Sequence, residues 1–447
     1  MNKKKNILFI AALISLSPSL LKAQVLPDLK ISEKVKARME KSIQKAKTYP
    51  VPSWCDTPEL QSDRMVIIEK SIKTMYHNYL APIARIRYEG IVPSPTTFNG
   101  LWSWDSWKHA VAMAYIDKDL AENSIRGLYD YQDEAGMIPD CVFADTNNFT
   151  GSTCVTTLTK PPLSGWAMWE IYKQTKDINF IKEMFPKLLK YHEWRYIYRD
   201  INQNGLCELG TSINNTDLAR CEMADNAIRY DDVKLLQKSD SCFSMDIESA
   251  DLNAYLYQEK DIIVKMAKLL NEKEVAKKYE KDKEVLKKRI QKVFFDSKTG
   301  FFYDTRMSDG SFVLSQESGG WTPLFTGVAT KEQARRVKEN MMNEASFNTF
   351  VPLPTASKEL PKFNPVNGYW RGPVWIDQFY FGYVGLLNYG YKKEAELLLK
   401  KLLKNGQGIT EPNTELREYY NPLTGVAGGA RNFGWTSAHL LMMMLQK

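Results

Sequence analysis

The stretch Ile262-Ile263-Val264-Lys265-Met266-Ala267-Lys268-Leu269-Leu270-Asn271-Glu272-Lys273-Glu274-Val275-Ala276-Lys277-Lys278-Tyr279 decides how the chain is built. Ile262, Met266 and Leu269 recur at the interval of a helical face. Val275 and Tyr279 do the same beyond Asn271, with Lys and Glu on the other faces. Two amphipathic helices, expected over 247–270 and 272–293, therefore meet with almost no connection and fold back as a helical hairpin. Outward from this pair the same periodicity marks helices at 60–80, 105–116, 118–134, 164–174, 178–195, 331–342, 373–388, 392–405 and 432–445. Asp117 breaks one pair and Tyr389–Tyr391 another. Alternating strand patterns are short, at 300–305 and 312–314, and no βαβ alternation occurs, which excludes a parallel sheet as the organising element. The expected fold class is all-α, an (α/α)6 toroid with long loops at the active-site mouth and a few short β hairpins. An open helical solenoid is the alternative, but no fixed repeat period is visible.

The chain has 447 residues, of which 44% are hydrophobic, 25% charged and 12% aromatic, including 11 Trp and 23 Tyr. That balance excludes a disordered or collagen-like chain, and the aromatic content suits a protein that grips flat, amphipathic ligands. Lys3, Lys4 and Lys5 precede a short apolar run from Ile7 to Leu16, and Ala23 stands before Gln24. Residues 1–23 thus read as a secretory signal, too short to span a bilayer, and imply a periplasmic or secreted protein. No Cys follows the signal, so no lipid anchor is expected. Removing it takes four lysines and no acids from a net charge of +7, leaving +3. Such a balance, with no basic–aromatic cluster, argues against a nucleic-acid partner. No later stretch is apolar enough to cross a membrane. Residues 24–447 are expected to form one domain, with 24–97 as lead-in helices, acting as a monomer or weak oligomer.

Export permits disulfides. Cys141 with Cys154, and Cys221 with Cys242, lie close enough in sequence to staple loops, leaving Cys55 and Cys207; free buried thiols are the alternative. Few His and no CxxC pair argue against zinc.

Four segments depart from helical packing logic. Leu101-Trp102-Ser103-Trp104-Asp105-Ser106-Trp107-Lys108 places three Trp around an acid at a helix start, a pattern suited to stacking on sugar rings while Asp105 and Lys108 bind hydroxyls; Asp105 could equally cap the helix. Gly368-Tyr369-Trp370-Arg371-Gly372-Pro373-Val374-Trp375-Ile376-Asp377-Gln378 puts Pro373 at an expected first helical turn and Arg371 just before it. An Arg beside the positive end of a helix makes sense if it holds a carboxylate. Arg417-Glu418-Tyr419-Tyr420-Asn421-Pro422-Leu423-Thr424-Gly425, with Gly428, Gly429 and Asn432-Phe433-Gly434-Trp435, is rich in turn residues and places an acid among aromatics. Partial burial there would raise its pKa toward general-base duty. Finally, Cys221-Glu222-Met223-Ala224-Asp225-Asn226-Ala227-Ile228-Arg229-Tyr230-Asp231-Asp232 is an acidic loop. Asp225 opposite Glu418 would supply the acid and base of an inverting glycosidase. By residue type alone, Asp225 stands level with Glu222, Asp231 and Asp232.

Asp200-Ile201-Asn202-Gln203-Asn204-Gly205-Leu206 begins like a calcium loop, with oxygen ligands at alternate positions. Thr211 occupies the place of the closing Glu of an EF-hand, so a true EF-hand is excluded and a distant acid would have to complete the site.

Taken together, these motifs resemble the catalytic domain of glycoside hydrolase family 63, in particular its bacterial α-glucosidases, from about Phe98 to Leu445. Trp104-Asp105-Ser106-Trp107-Lys108, Lys160-Pro161-Pro162-Leu163, Tyr369-Trp370-Arg371-Gly372, Asp377-Gln378 and Asn421-Pro422-Leu423-Thr424-Gly425 with Phe433-Gly434-Trp435 carry the likeness. The resemblance implies an (α/α)6 barrel and inverting, exo-acting hydrolysis of short α-linked glucosides, with Asp225 as general acid and Glu418 as general base. Trp102, Trp104, Asp105, Lys108, Trp370, Arg371, Trp375, Asp377, Tyr420 and Trp435 would shape the sugar subsite. It also implies a structural Ca2+ held by Asp200, Asn202, Asn204, the Leu206 carbonyl and Glu248, and no organic cofactor. Cys221-Glu222-Met223 stands where the family usually has Glu-Ser-Gly. The amino-terminal β-sandwich of many members is missing, as it is in relatives that hydrolyse α-mannosyl or α-glucosyl glycerate, so a small acidic aglycone is the alternative substrate. A non-catalytic sugar-binding relative is the remaining reading.

Overall fold

Two kinds of helix make up this computed structural model, which describes residues 31–146 and 152–446. The expected signal at 1–23 lies outside the described residues. Ser103–Ala114 and Gly434–Leu445 are buried at every position. Helices that are apolar all round belong inside. By contrast Lys273–Val293, Lys331–Met342 and Lys392–Asn405 bury one stripe each and turn Lys and Glu outward.

The inner helices pack in succession. Ser103–Ala114 lies against Ser164–Thr175, which lies against Ala250–Leu270; that helix meets the short Thr322–Phe325, which meets Ile376–Asn388, which meets Gly434–Leu445. Gly434–Leu445 then packs on Ser103–Ala114, so the series returns on itself. The outer helices Lys118–Tyr129, Ile178–Tyr198, Lys273–Val293 and Lys392–Asn405 each back the inner helix that precedes them, and Pro58–His77 backs Gly434–Leu445. Local chemistry sets several boundaries. Asp117 caps 118–129 by accepting from Leu120 N at 3.2 Å. Thr330 and Gln333 form a reciprocal capping box on 331–342.

The sheet content exceeds a few hairpins and corrects the all-α expectation. Five small antiparallel sheets occur among the described residues. In the largest, Cys242–Glu248 pairs with Glu208–Thr211, Leu235–Ser239 and Thr305–Arg306. Ile247, expected to begin a helix, therefore lies in a strand, and the helix starts at Ala250. Pro373 likewise does not open a helix; Val374–Trp375 is a strand pairing with Tyr419 and Tyr420, and the helix begins at Ile376. Asp105 is not a cap, since helix 103–114 starts two residues earlier after Trp102. No described helix is long and apolar enough to cross a membrane.

The disulfide expectations fail. All six cysteines are free. Cys141 faces Val155 and Cys154 faces Val142 across one strand pair, which puts the two sulfurs on opposite sides of the sheet. Cys242 directs its thiol to the Tyr198 carbonyl instead of Cys221.

Candidate active site

Inner helices deliver their first turns to one end of the ring. Asp105, Asp377 and Trp435 lie in the opening turns of 103–114, 376–388 and 434–445. Lys108 joins them: its ammonium pairs with Asp377 at 2.8 Å, both side chains fully buried. It also sits 3.5 Å from the Trp104 ring centroid and 3.9 Å from that of Trp435. Burial pushes the Asp105 carboxyl up to about 7, against the pull of Lys108 and Lys160. Asp105, Lys108 and Asp377 thus form one desolvated polar patch under a layer of indoles. The layer is continuous. Trp370 stacks on Trp375 at 4.3 Å, Trp104 lies 6.0 Å from Trp370, and Trp435 contacts Trp104 and Trp375 at 5.3 Å.

Ion pairing separates the four acids of the 221–232 loop. Glu222 is held by Arg195 at 2.6 Å and Arg199 at 3.4 Å, fully buried. Asp231 is paired to Arg371 and Lys362, which hold its carboxyl below the usual range despite burial. Asp232 is exposed. Asp225 alone faces the aromatic layer. Its surroundings are deep enough that burial raises its carboxyl, against the Lys160 ammonium and hydrogen bonds from the Cys221 thiol and Trp370. A raised pKa favours the protonated form a general acid needs.

Glu418 stands on the strand Arg417–Tyr420, and its carboxyl is pushed up to about 7, first by burial and further by the Asp225 charge. Two donors oppose the shift: Ala430 N–H at 2.7 Å on Oε2 and the Tyr369 hydroxyl at 3.0 Å on Oε1. The first exists because of a bulge. Arg417 pairs with Arg431 and Tyr419 with Gly428, so the partner strand carries one extra residue. Gly429 sits there at φ +72°, and a Cβ at that position would come 2.6 Å from Glu418 Cβ and closer still to Oε2.

The other expected residues divide. Trp102 packs edge-on to Phe98 and Phe143, beside the indole layer. Tyr420 is fully buried and pairs with Val374. The carboxylate held by Arg371 belongs to Asp231, and its Nε–H donates to the Asn226 carbonyl at 2.8 Å. An open cavity of about 460 Å3 lies between the outer helices, with His192, Tyr196, Lys260 and Tyr279 in its wall. It includes neither Asp225 nor Glu418.

The family profile described as "Mannosylglycerate hydrolase MGH1-like glycoside hydrolase domain" matches residues 98–436. The chain belongs to this family. Mannosylglycerate hydrolase MGH1 of Selaginella moellendorffii is 25% identical over 421 residues, spanning 79% of this chain and 82% of that one. A crystal structure of GH63 mannosylglycerate hydrolase from Thermus thermophilus, in complex with Tris, superposes with a TM-score of 0.71 at 22% identity, covering 84% of this chain and 99% of the other. Neutral trehalase Nth1 from Saccharomyces cerevisiae superposes at 0.65 with 16% identity, over 79% of this chain and 73% of its own. The protein is a glycoside hydrolase, and its fold is that of the GH63 mannosylglycerate hydrolase and trehalase structures.

In this glycoside hydrolase the donor chemistry bears directly on the calcium expectation. Asp200 accepts from Gly205 N at 2.9 Å, Asn202 and Asn204 close turns onto Asn204 N and Leu206 N, and both amides reach Glu248. Asp200 Oδ1 is buried without a hydrogen-bond partner, as is Oε1 of Glu208, which stands directly across the strand pair from Glu248. Like charges in that register repel unless something lies between them. Among the described residues no three His, Cys, Asp or Glu side chains form a metal cage by themselves. The unpartnered Asp200 Oδ1 and the Glu208–Glu248 pair are oxygen donors of the kind a Ca2+ ion takes, while the Asn202 and Asn204 oxygens are turned to backbone N–H groups.

Two side chains of the candidate site, Lys160 and Tyr369, were not singled out by the sequence reading. Lys160 pairs with Asp140 at 3.5 Å, donates to the Cys221 carbonyl and acts on Asp225. Its Lys-Pro-Pro-Leu motif was visible, but its partners were not. Tyr369 adjoins the expected Trp370, and only the fold brings it to Glu418.

Proposed function

We propose that the chain is an inverting, exo-acting α-glycosidase in which Asp225 is the general acid and Glu418 the general base. Its substrate in this reading is a short α-glycoside with a small acidic aglycone. The observation that carries the proposal is the pair itself. Two carboxyls lie within electrostatic reach of each other, neither is held in an ion pair among the described residues, and burial raises both, Glu418 to about 7. Asp225 gives its proton to the glycosidic oxygen as the C1–O bond breaks. Glu418 takes a proton from the water that attacks C1 on the opposite face. Inversion needs room for that water, a carboxyl separation of about 6.5–9.5 Å. The indoles of Trp104, Trp370 and Trp435 would cover the apolar face of the sugar, while the buried Lys108–Asp377 pair and Asp105 hold that layer from beneath.

The closed succession of six inner helices supports an (α/α)6 toroid with the site at one mouth. The names of the curated relatives favour a mannosylglycerate over the α-glucosyl oligosaccharides implied by the first motif resemblance, and α-glucosyl glycerate shares its acidic aglycone. The signal-like residues 1–23 support action outside the cytoplasm, and the Asp200–Leu206 loop with Glu248 supports a structural Ca2+. The discriminating experiment measures kcat/KM on α-mannosylglycerate, α-glucosylglycerate, trehalose and maltose, with Asp225→Asn as control. The glycerate glycosides should lead and the variant should be silent on all four. Preference for maltose would restore the oligosaccharide reading, and full activity in the variant would remove Asp225 from the chemistry.

A further inference from the structure

Tyr369 holds an aromatic side chain at φ +57°, a conformation that L residues other than Gly, Asn and Asp seldom adopt. Such a backbone persists where its surroundings over-determine it, and here they do. The Tyr369 carbonyl accepts from Trp375 Nε1 at 2.9 Å, and the Trp370 carbonyl accepts from Thr355 Oγ1 at 2.8 Å. On the other side the segment is bound to one residue, Asn226. Its Nδ2 donates to the Gly368 carbonyl at 3.1 Å, its Oδ1 accepts from Trp370 N at 3.1 Å, and its own carbonyl accepts from Arg371 Nε at 2.8 Å. Arg371 then reaches Asp231 at the far end of the same loop. Asn226 immediately follows Asp225, which is itself at φ +21°.

The Tyr369 ring meets Trp375 edge-on at 4.9 Å and Tyr419 at 6.0 Å, which aims its hydroxyl at Glu418 Oε1, 3.0 Å away. One short segment therefore touches the proposed base through the Tyr369 hydroxyl and the loop of the proposed acid through its backbone at Gly368 and Trp370 and through the Trp370 and Arg371 side chains. Those two groups come from a loop and a strand nearly two hundred residues apart in sequence.

We propose that Gly368–Arg371 is a strap that sets the relative position of the two carboxyls, with Tyr369 as the positioning residue for Glu418 and Asn226 as the anchor on the side of Asp225. This rests on the acid and base assignment above. Tyr369 orients one lone-pair direction of Glu418 while Ala430 N–H fixes the other oxygen, leaving the remaining face of the carboxylate for the attacking water. Neither Tyr369 nor Asn226 gains or loses a proton in the cycle.

The test is Tyr369→Phe, which keeps the ring packing and removes only the hydroxyl. Its kcat on the best substrate should fall roughly 10–100-fold while KM changes little, as expected when a base is misoriented rather than a subsite lost. The acid limb of the kcat/KM profile should move to higher pH, because the charged form of Glu418 loses a donor. A ring with a purely structural role would leave that limb in place. Asn226→Ala should lower kcat as well. In the double variant the two losses should be non-additive by about five-fold or more, since both act through one strap. Wild-type kcat with an unmoved profile in Tyr369→Phe, or strictly additive losses, overturns the strap. Asp225→Asn and Glu418→Gln run alongside: activity in those two variants would sink the acid–base reading itself, whereas silence there with an unaffected Tyr369→Phe sinks only the strap.

Discussion

Replacing Gly429 by Ala should separate catalysis from stability more sharply than removing an acid. The glycine is at φ +72°, so any L side chain costs about 1–2 kcal/mol of backbone strain. The added methyl would also lie 2.6 Å from Glu418 Cβ and closer to Oε2, and so drives the carboxylate off the Ala430 N–H. A lost hydrogen bond to a charged group adds about 1.5–3 kcal/mol. Together these are tolerable within a native stability of about 5–15 kcal/mol. The chemistry is less forgiving, because a shift of about 1 Å in a catalytic group costs on the order of 100-fold. Gly390→Ala is the matched control: that glycine has φ +82° and nothing within 4 Å of its would-be Cβ. The paired assay is kcat with thermal unfolding. Both variants should lose similar stability through the backbone, with a further decrement in Gly429→Ala, and only Gly429→Ala should lose kcat. Equal kcat in the two would refute the claim that the bulge builds the base.

Two further outcomes concern charge and metal. The Glu418 carboxyl binds its proton more tightly folded, at about 7, than unfolded, near 4.5. Stability it contributes is present below about 4.5 and lost as pH rises through 7. Glu418→Gln should therefore stabilise the protein at pH 8 relative to wild type, by up to about 3 kcal/mol, and hardly at all at pH 4; denaturant unfolding at the two pH values reads this, and a pH-independent difference would contradict the burial argument. Added Ca2+ should raise the unfolding temperature of the wild type and not that of Glu248→Gln, and a chelator should reverse it. An identical response in both would empty the Asp200–Leu206 loop of its proposed ion.

Sequence patterning was most legible where a helix carries its own stop signals. Residues 331–342 and 392–405 begin and end where their periodicity says, the first because Thr330 and Gln333 cap it locally. The two-residue strands were opaque, since Val374 is a strand only by virtue of Tyr420. Ile247 and Glu248 end a strand buried between its neighbours, and next to the helix that follows they read as its first residues. The site shows the same division. Glu418 stood out among turn residues and aromatics. Asp225 was level with three acids until Arg195 claimed Glu222 and Arg371 claimed Asp231. Lys160 and Tyr369 owe their roles to contacts made across the fold, which no local spacing encodes.

The stereochemistry of the first product formed tests the two-carboxyl account most directly. Proton NMR of an α-glycoside mixed with a high enzyme concentration resolves the anomeric signal before mutarotation. The β-anomer should appear first, and should fail to appear with Asp225→Asn or Glu418→Gln. Initial release of the α-anomer, or an undiminished signal from either variant, would contradict it.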